Sequence, residues 1–387
     1  MYKIATLNKI SETGLASLDA AQFAISADEQ NPDGIILRSF SMHDMELPAS
    51  LLCVARAGAG VNNIPLDKCS ELGVVVFNTP GANANAVKEL VLASLLLSSR
   101  KIAQGIAWAQ NLKGQEGVAA LVEKGKAAFV GPEIMGKKLG VIGLGAIGNL
   151  VANAASAIGM EVIGFDAFLS VDAAWNLNPS VKKAAKMDEI IENCDYITIH
   201  VPFNKDTKGM FNAELFARVK KGLRLLNFSR GELVDNAALV EAIASGAVDS
   251  YVTDFPTEEL LGVDGVIPVP HLGASTPESE ENCAQMAAKE LRDYLLHGNI
   301  KNSVNFPNCE LPYAGRKRVC IAHKTAANVI VDVTTVLNEQ KIGIADMISK
   351  NRGDYAYTII DIDQDQDASA LEAELIKVDS VIMVRIV

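Results

Sequence analysis

The sequence predicts an α/β protein made of two doubly wound parallel-sheet units followed by a smaller βαββαβ module. Three observations predict it. Short β-rich runs alternate with helix-length segments through most of the chain, a glycine-rich turn lies between a buried strand and a helix at 143–148, and a new strand and helix order begins after residue 317. A length of 387 residues suits two to three domains, and 49% apolar against 21% charged residues suits packed cores. The net charge of -12 argues against a broad duplex-binding surface, so no nucleic-acid partner is expected.

In the first unit the runs 34–39, 51–56 and 73–78 read as strands, and the Leu-, Ala- and Ser-rich stretch 86–100 as the first long helix. A polar stretch, 110–138, precedes the strongest local signal. There a buried strand (138–143) leads into Gly143, Gly145 and Gly148, a small-residue helix runs to Ile158, and a second strand (160–165) ends at Asp166. Further strand-like runs at 197–202, 224–230, 250–254 and 265–270 give this sheet at least six strands. Thr276, Pro277 and Glu278 mark a helix start, with a hydroxyl cap, proline at the first position and an acid in the first turn; Gly298 supplies the stop. The irregular stretch 299–317 reads as a linker, and the last unit as strand, helix, strand, strand, helix, strand.

A glycine triplet alone is weak, but this one follows a strand, opens a helix and is followed 23 residues after Gly143 by an acid ending the next strand. It reads as a dinucleotide site. Gly143 permits the tight turn, Gly145 lets the backbone approach a pyrophosphate, and Gly148 allows close helix–strand packing, while the helix start at Ala146 and Ile147 attracts the anion. Asp166 would accept hydrogen bonds from ribose hydroxyls and repel a 2′-phosphate, and its neighbours Ala167 and Phe168 offer no cation, so NAD is expected rather than NADP.

Alcohol oxidation needs a proton acceptor near neutral pH, and the chain has five histidines, His43, His200, His271, His297 and His323. His271 stands out because it follows a strand run and precedes Leu272-Gly273-Ala274, at the carboxyl edge where ligands bind in doubly wound sheets. His200, with Val201 and Pro202, occupies a similar edge and reads either as lining the adenosine side or as a packed imidazole.

Several segments occur in one order: Arg56-Ala57-Gly58-Ala59-Gly60, Asn78-Thr79-Pro80-Gly81, the glycine triplet, Ser229-Arg230-Gly231, Glu258-Glu259, and Pro270-His271 running on to Glu278. In this the chain resembles the NAD-dependent D-2-hydroxyacid dehydrogenases over essentially its whole length, and among them the members that oxidise 3-phosphoglycerate and carry a C-terminal ACT domain. The resemblance implies an enzyme of serine biosynthesis acting on 3-phosphoglycerate and 3-phosphohydroxypyruvate. It implies Arg230 as the carboxylate-binding residue, His271 as the proton acceptor and Glu259 as its acidic partner. The family pattern Asp-Val-Phe-x-x-Glu-Pro is one residue short here, so matching by Phe-Pro-Thr picks Glu258 while matching by Asp254 picks Glu259. The resemblance further implies Asp254 on the nicotinamide carboxamide, with Thr79, Phe228, Ser229 and Gly273 around the cofactor. Ala57 and Gly58 would present amides to the substrate carboxylate, with Asn78 nearby and Lys126 toward its phosphate; an ordinary βα turn and a solvated lysine are the competing readings.

The expected domains are 1–98 with 276–305 for substrate, 99–275 for NAD, 306–317 as linker and 318–387 as the ACT domain. Between the first two a closing cleft would exclude water. A homodimer or homotetramer is implied. Where serine-regulated relatives carry asparagines this chain has Thr325 and Gly343, and Ala327-Asn328 replaces their Pro-Gly, so weak or absent serine inhibition is expected although His323 matches. No apolar run approaches the ~20 residues of a membrane helix, and the start has no secretory pattern, so a cytoplasmic protein is expected. The six cysteines form no C-x-x-C pair and suggest no metal site. Two alternatives are a glyoxylate or hydroxypyruvate reductase using the same residues and a non-catalytic NAD-sensing protein of the corepressor type.

Overall fold

In a computed structural model, which describes residues 1–363 and 368–387, the chain divides into two compact units. One comprises Met1–Asn83 with Pro277–Val387, the other Ala84–Thr276. Among the described residues no single helix is long and apolar enough to cross a membrane.

The first unit contains a five-stranded parallel sheet in the order Phe23–Ser26, Tyr2–Leu7, Gly34–Leu37, Cys53–Arg56, Val75–Phe77. Gly34–Leu37 and Val75–Phe77 are short, apolar and buried at every residue because both faces of the sheet are covered there. The 21-residue helix Pro277–His297 covers one of them, burying Cys283, Ala287, Ala288, Leu291, Tyr294 and Leu295 with Ile4, Ile36, Cys53, Val75 and Phe77. That stripe recurs at helical spacing, while the acids Glu278 and Glu280 occupy the first turn, where the helix dipole favours them.

The C-terminal module is an antiparallel sheet ordered Ile344–Arg352, Tyr355–Ile362, Lys317–Lys324, Val381–Ile386, with the helices Val329–Glu339 and Ala368–Leu375. It shares a core with the first sheet, since Cys320, Ala322, Tyr357 and Ile359 join the cluster that holds Tyr294 and Phe77. The stretch 299–317, which reads as a linker in sequence, is therefore packed: Phe306 and Cys309 are buried, and Ile300 pairs with Cys309. Arg318 fastens this region. It is fully buried, pairs through Nε and Nη2 with Asp361 (2.6 and 3.0 Å), and donates to the carbonyls of His297 (2.8 Å), Leu311 (3.0 Å) and Pro312 (3.2 Å).

The second unit holds seven parallel strands ordered Val266–Pro268, Val248–Thr253, Leu223–Asn227, Tyr196–Ile199, Lys138–Ile142, Glu161–Phe165, Lys182–Lys183. The order of strands reverses between Lys138–Ile142 and Tyr196–Ile199, the switch point where doubly wound sheets bind ligands. The helix Ala84–Ser99 packs here, through Val87, Val91 and Leu95 against Leu139, Val141 and Val252, rather than with the substrate half to which the sequence assigns it. Its apolar stripe suits either sheet, and only the tertiary pairing decides.

Candidate active site

Parallel strands deliver their C-terminal ends to one edge of a sheet. In the second unit that edge carries Gly143 after Lys138–Ile142, Asp166 after Glu161–Phe165, and His200 after Tyr196–Ile199. It also carries Arg230 just beyond Leu223–Asn227, Asp254 after Val248–Thr253, and His271 just beyond Val266–Pro268.

The glycine turn has the shape its residues allow. Gly143 has φ +91°, and a Cβ there would lie 2.7 Å from the His200 carbonyl carbon, so the position admits only glycine. At Gly148 a Cβ would meet the Gly143 carbonyl oxygen at 1.9 Å, which is how closely helix and turn approach. A Cβ on Gly145 would meet nothing within 4 Å, and the helix Ala146–Ala157 that starts there has no side-chain cap. Free amides and open space together fit a pyrophosphate. Asp166 accepts from the Leu144 amide (2.7 Å) through Oδ2 and from the Phe168 amide (2.7 Å) through Oδ1, so it pins the turn.

His200 bonds Thr198 Oγ1 through Nε2 (2.9 Å), its Nδ1 is buried without a partner, and burial pushes its imidazole down to about 3. It is neutral at pH 7. Val201 packs on the core, Pro202 is exposed and accepts from Thr207 Oγ1 (2.7 Å), Phe228 is buried, and Ser229 Oγ donates to the Ile199 carbonyl (2.9 Å).

Around His271 the arrangement differs from expectation. Its exposed imidazole lies edge-on to Phe255, with ring centroids 4.9 Å apart. Glu259, exposed on the turn Glu258–Leu260, makes no bond to the imidazole; its carboxylate accepts from Asn236 Nδ2 (3.3 Å). The carboxyl that responds to His271 is Asp254, which is 2% exposed, accepts from the Gly273 amide (3.2 Å) through Oδ2 and leaves Oδ1 unpartnered. Burial pushes Asp254 above the usual carboxylate range, while the charge of His271, the Gly273 amide and Arg230 pull it back. A buried acceptor with no partner at this edge fits a ligand amide, so the chain's donor and acceptor set accommodates a nicotinamide dinucleotide.

Arg230 is exposed and is held by a residue with no expected role in the site. Buried Asn227 donates to the Arg230 carbonyl (2.8 Å) and Tyr251 Oη (3.2 Å), and its Oδ1 accepts from the Ser229 amide (3.2 Å). A polar side chain ending an otherwise apolar strand is the signal for it. Phe255 was similarly visible only as the neighbour of Asp254.

The candidates in the first unit are engaged locally. The Ala57 amide extends the sheet by donating to Leu37 (2.8 Å), and the Gly58 amide turns back on Arg56 (2.8 Å), so neither is available to a carboxylate as the sequence suggests. Thr79 is fully buried, with its amide on the Gly58 carbonyl (3.1 Å). Asn78 donates through Nδ2 to the Ala59 carbonyl (2.6 Å). Lys126, in the second unit, is exposed and ion-paired with Glu123 one turn away, the arrangement of a solvated lysine.

Comparison with known proteins gives the class. Residues 92–273 match the D-isomer specific 2-hydroxyacid dehydrogenase family, NAD binding domain. The D-3-phosphoglycerate dehydrogenase of Haemophilus influenzae is 30% identical over 99% of this chain and 94% of its own length. The chain belongs to the D-2-hydroxyacid dehydrogenase family, and its cofactor is NAD. The D-3-phosphoglycerate dehydrogenase of Bacillus subtilis is 34% identical over 79% of this chain, which spans 59% of that relative's length. A crystal structure of the NAD+-bound 3-phosphoglycerate dehydrogenase of Entamoeba histolytica aligns with a TM-score of 0.61 and 26% identity, covering 79% of this chain and 98% of that one.

Proposed function

We propose that this chain is a D-3-phosphoglycerate dehydrogenase, oxidising 3-phospho-D-glycerate to 3-phosphohydroxypyruvate with NAD as the entry to L-serine biosynthesis. The observation that carries the reading is the match along nearly the whole Haemophilus influenzae relative, combined with Arg230 and His271 on the same sheet edge as the glycine turn. Bound NAD supplies a hydride acceptor. The chain's own residues do the rest. His271 takes the C2 hydroxyl proton at a ring nitrogen, and Phe255 limits the ring's tilt from one side. Arg230 binds the substrate carboxylate with its fork, on a loop that Asn227 holds in place. Asp254, whose buried carboxyl feels the charges of His271 and Arg230, keeps Oδ1 for the carboxamide. For Glu259 to steady the imidazole, its carboxylate must turn from Asn236 toward His271.

The reading includes a cytoplasmic homodimer or homotetramer and an ACT role for the C-terminal module. In that module both nitrogens of His323 are already bonded, Nδ1 with the Lys324 carbonyl (2.9 Å) and Nε2 with Thr358 Oγ1 (3.0 Å), which supports weak or absent serine control. NADH oxidation with 3-phosphohydroxypyruvate tests the function. Wild type should turn it over faster than hydroxypyruvate, and His271→Asn should lose about 10²–10⁴ in kcat while binding NADH normally. No turnover by wild type, or full activity in His271→Asn, would overturn the proposal.

A further inference from the structure

Outside this site, the first unit holds a cavity of about 720 Å³ between the outer face of the helix Pro277–His297, the loop at 81–82 and the return segment 299–310. Its wall carries charges of both signs: Lys289, Glu290 and Asp293 from the helix, Lys301 and Glu310 from the return segment. Glu290 is the unusual member. It is 7% exposed, its Oε1 accepts from Asn302 Nδ2 (2.7 Å), and its Oε2 is buried with no hydrogen-bond partner. A carboxylate oxygen left in this state costs free energy unless a donor arrives. Among the described residues, neither Lys289 nor Lys301 lies within ion-pair distance of a carboxylate, so both ammonium groups can meet an anion.

We propose that this cavity binds a small zwitterion, its primary ammonium seated on Glu290 Oε2 and its carboxylate on Lys289 and Lys301. The charges decide the class. A simple amine would leave the two lysines unmatched, and a simple acid would leave Glu290 without its donor. Asn302 belongs to the site by construction: its left-handed backbone (φ +57°) is held by Asn308 Oδ1 on its amide (3.0 Å), which aims its side chain at Glu290.

Burial pushes Glu290 up to about 8, with Asn302, Lys301 and Lys289 opposing. The carboxyl is therefore protonated at pH 7, and seating an ammonium on it expels that proton. Affinity should rise up to about tenfold per pH unit between pH 6 and 8.

The test uses glycine, β-alanine and γ-aminobutyrate as zwitterions of increasing charge separation, with butylamine and butyrate as single-charge controls. Thermal shift of the full chain at pH 8 reads binding, and calorimetry in buffers of different ionisation enthalpy reads the proton. At least one zwitterion should raise Tm more than either control and release a proton at pH 7. Glu290→Gln, whose amide oxygen can keep the Asn302 bond, should abolish both effects. Lys289→Ala with Lys301→Ala should abolish the preference for zwitterion over butylamine. No shift with any zwitterion at about 10 mM, binding unchanged in Glu290→Gln, or binding without proton release would each overturn the proposal.

Discussion

Three alanine substitutions in one turn should separate packing from cofactor binding. At Gly145 the backbone is already in a region open to alanine (φ -68°), and the new Cβ meets nothing within 4 Å. The protein without cofactor should therefore keep its stability or gain about 0.4–1 kcal/mol from the stiffer unfolded chain. The methyl group would, however, occupy space through which the pyrophosphate reaches the helix amides. Losing one charge-assisted hydrogen bond costs about 1.5–3 kcal/mol, roughly a 10- to 150-fold rise in the NADH dissociation constant. At Gly148 the Cβ would sit 1.9 Å from the Gly143 oxygen, against 3.4–4 Å for ordinary contact, so the helix must retreat by more than an ångström. Overpacking of that kind costs about 1–3 kcal/mol before any cofactor is added. Gly143 adds a positive φ to a 2.7 Å clash and should be the least tolerant. Differential scanning fluorimetry without ligand and NADH titration by fluorescence give the two axes, with about 2–4 °C in Tm per kcal/mol for a unit of this size. The reasoning fails if Gly145→Ala lowers the ligand-free Tm as far as Gly148→Ala does, or leaves NADH binding within twofold of wild type.

Replacing Asn227 by Leu removes the bond to the Arg230 carbonyl and should raise KM for the oxo acid about tenfold with NADH affinity unchanged, as steady-state kinetics and fluorescence titration can show. Arg318→Met leaves Asp361, 3% exposed, as a buried charge without its guanidinium and should cost about 3–5 kcal/mol in thermal unfolding, part of which the further change Asp361→Leu should restore. Glu290 has a folded pKa of about 8 against an unfolded value near 4.5, so its proton is kept in the folded state and lost from the unfolded one between those limits. Stability should therefore fall as pH rises from about 4.5 to 8 and level off above, and Glu290→Gln should flatten that slope in urea unfolding measured across the range.

The parts of the molecule legible in sequence are those fixed by short-range pattern. The turn at Gly143, Gly145 and Gly148 follows from a strand, a tight bend and a helix in succession, and His271 from its place just past a strand run. What sequence hid depends on long-range partners. The amides of Ala57 and Gly58 look available in a glycine-rich loop, but Leu37 and Arg56 take them. The segment 299–317 is polar enough to read as a tether, yet Phe306 and Cys309 anchor it in a shared core. Glu259 keeps the family interval from Asp254, but a shortened turn sets it on Asn236. The helix Ala84–Ser99 is assigned by sequence to the substrate half but packs in the other unit, since its stripe would serve either sheet.

The most direct measurement is a crystal structure of the protein with NAD and a non-reacting analogue of 3-phosphoglycerate. The account predicts the pyrophosphate over Gly145, the analogue's carboxylate on the Arg230 guanidinium, and a ring nitrogen of His271 within about 2.6–3.2 Å of the C2 oxygen. A complex in which that oxygen lies beyond hydrogen-bond reach of His271, with another side chain in its place, would contradict it.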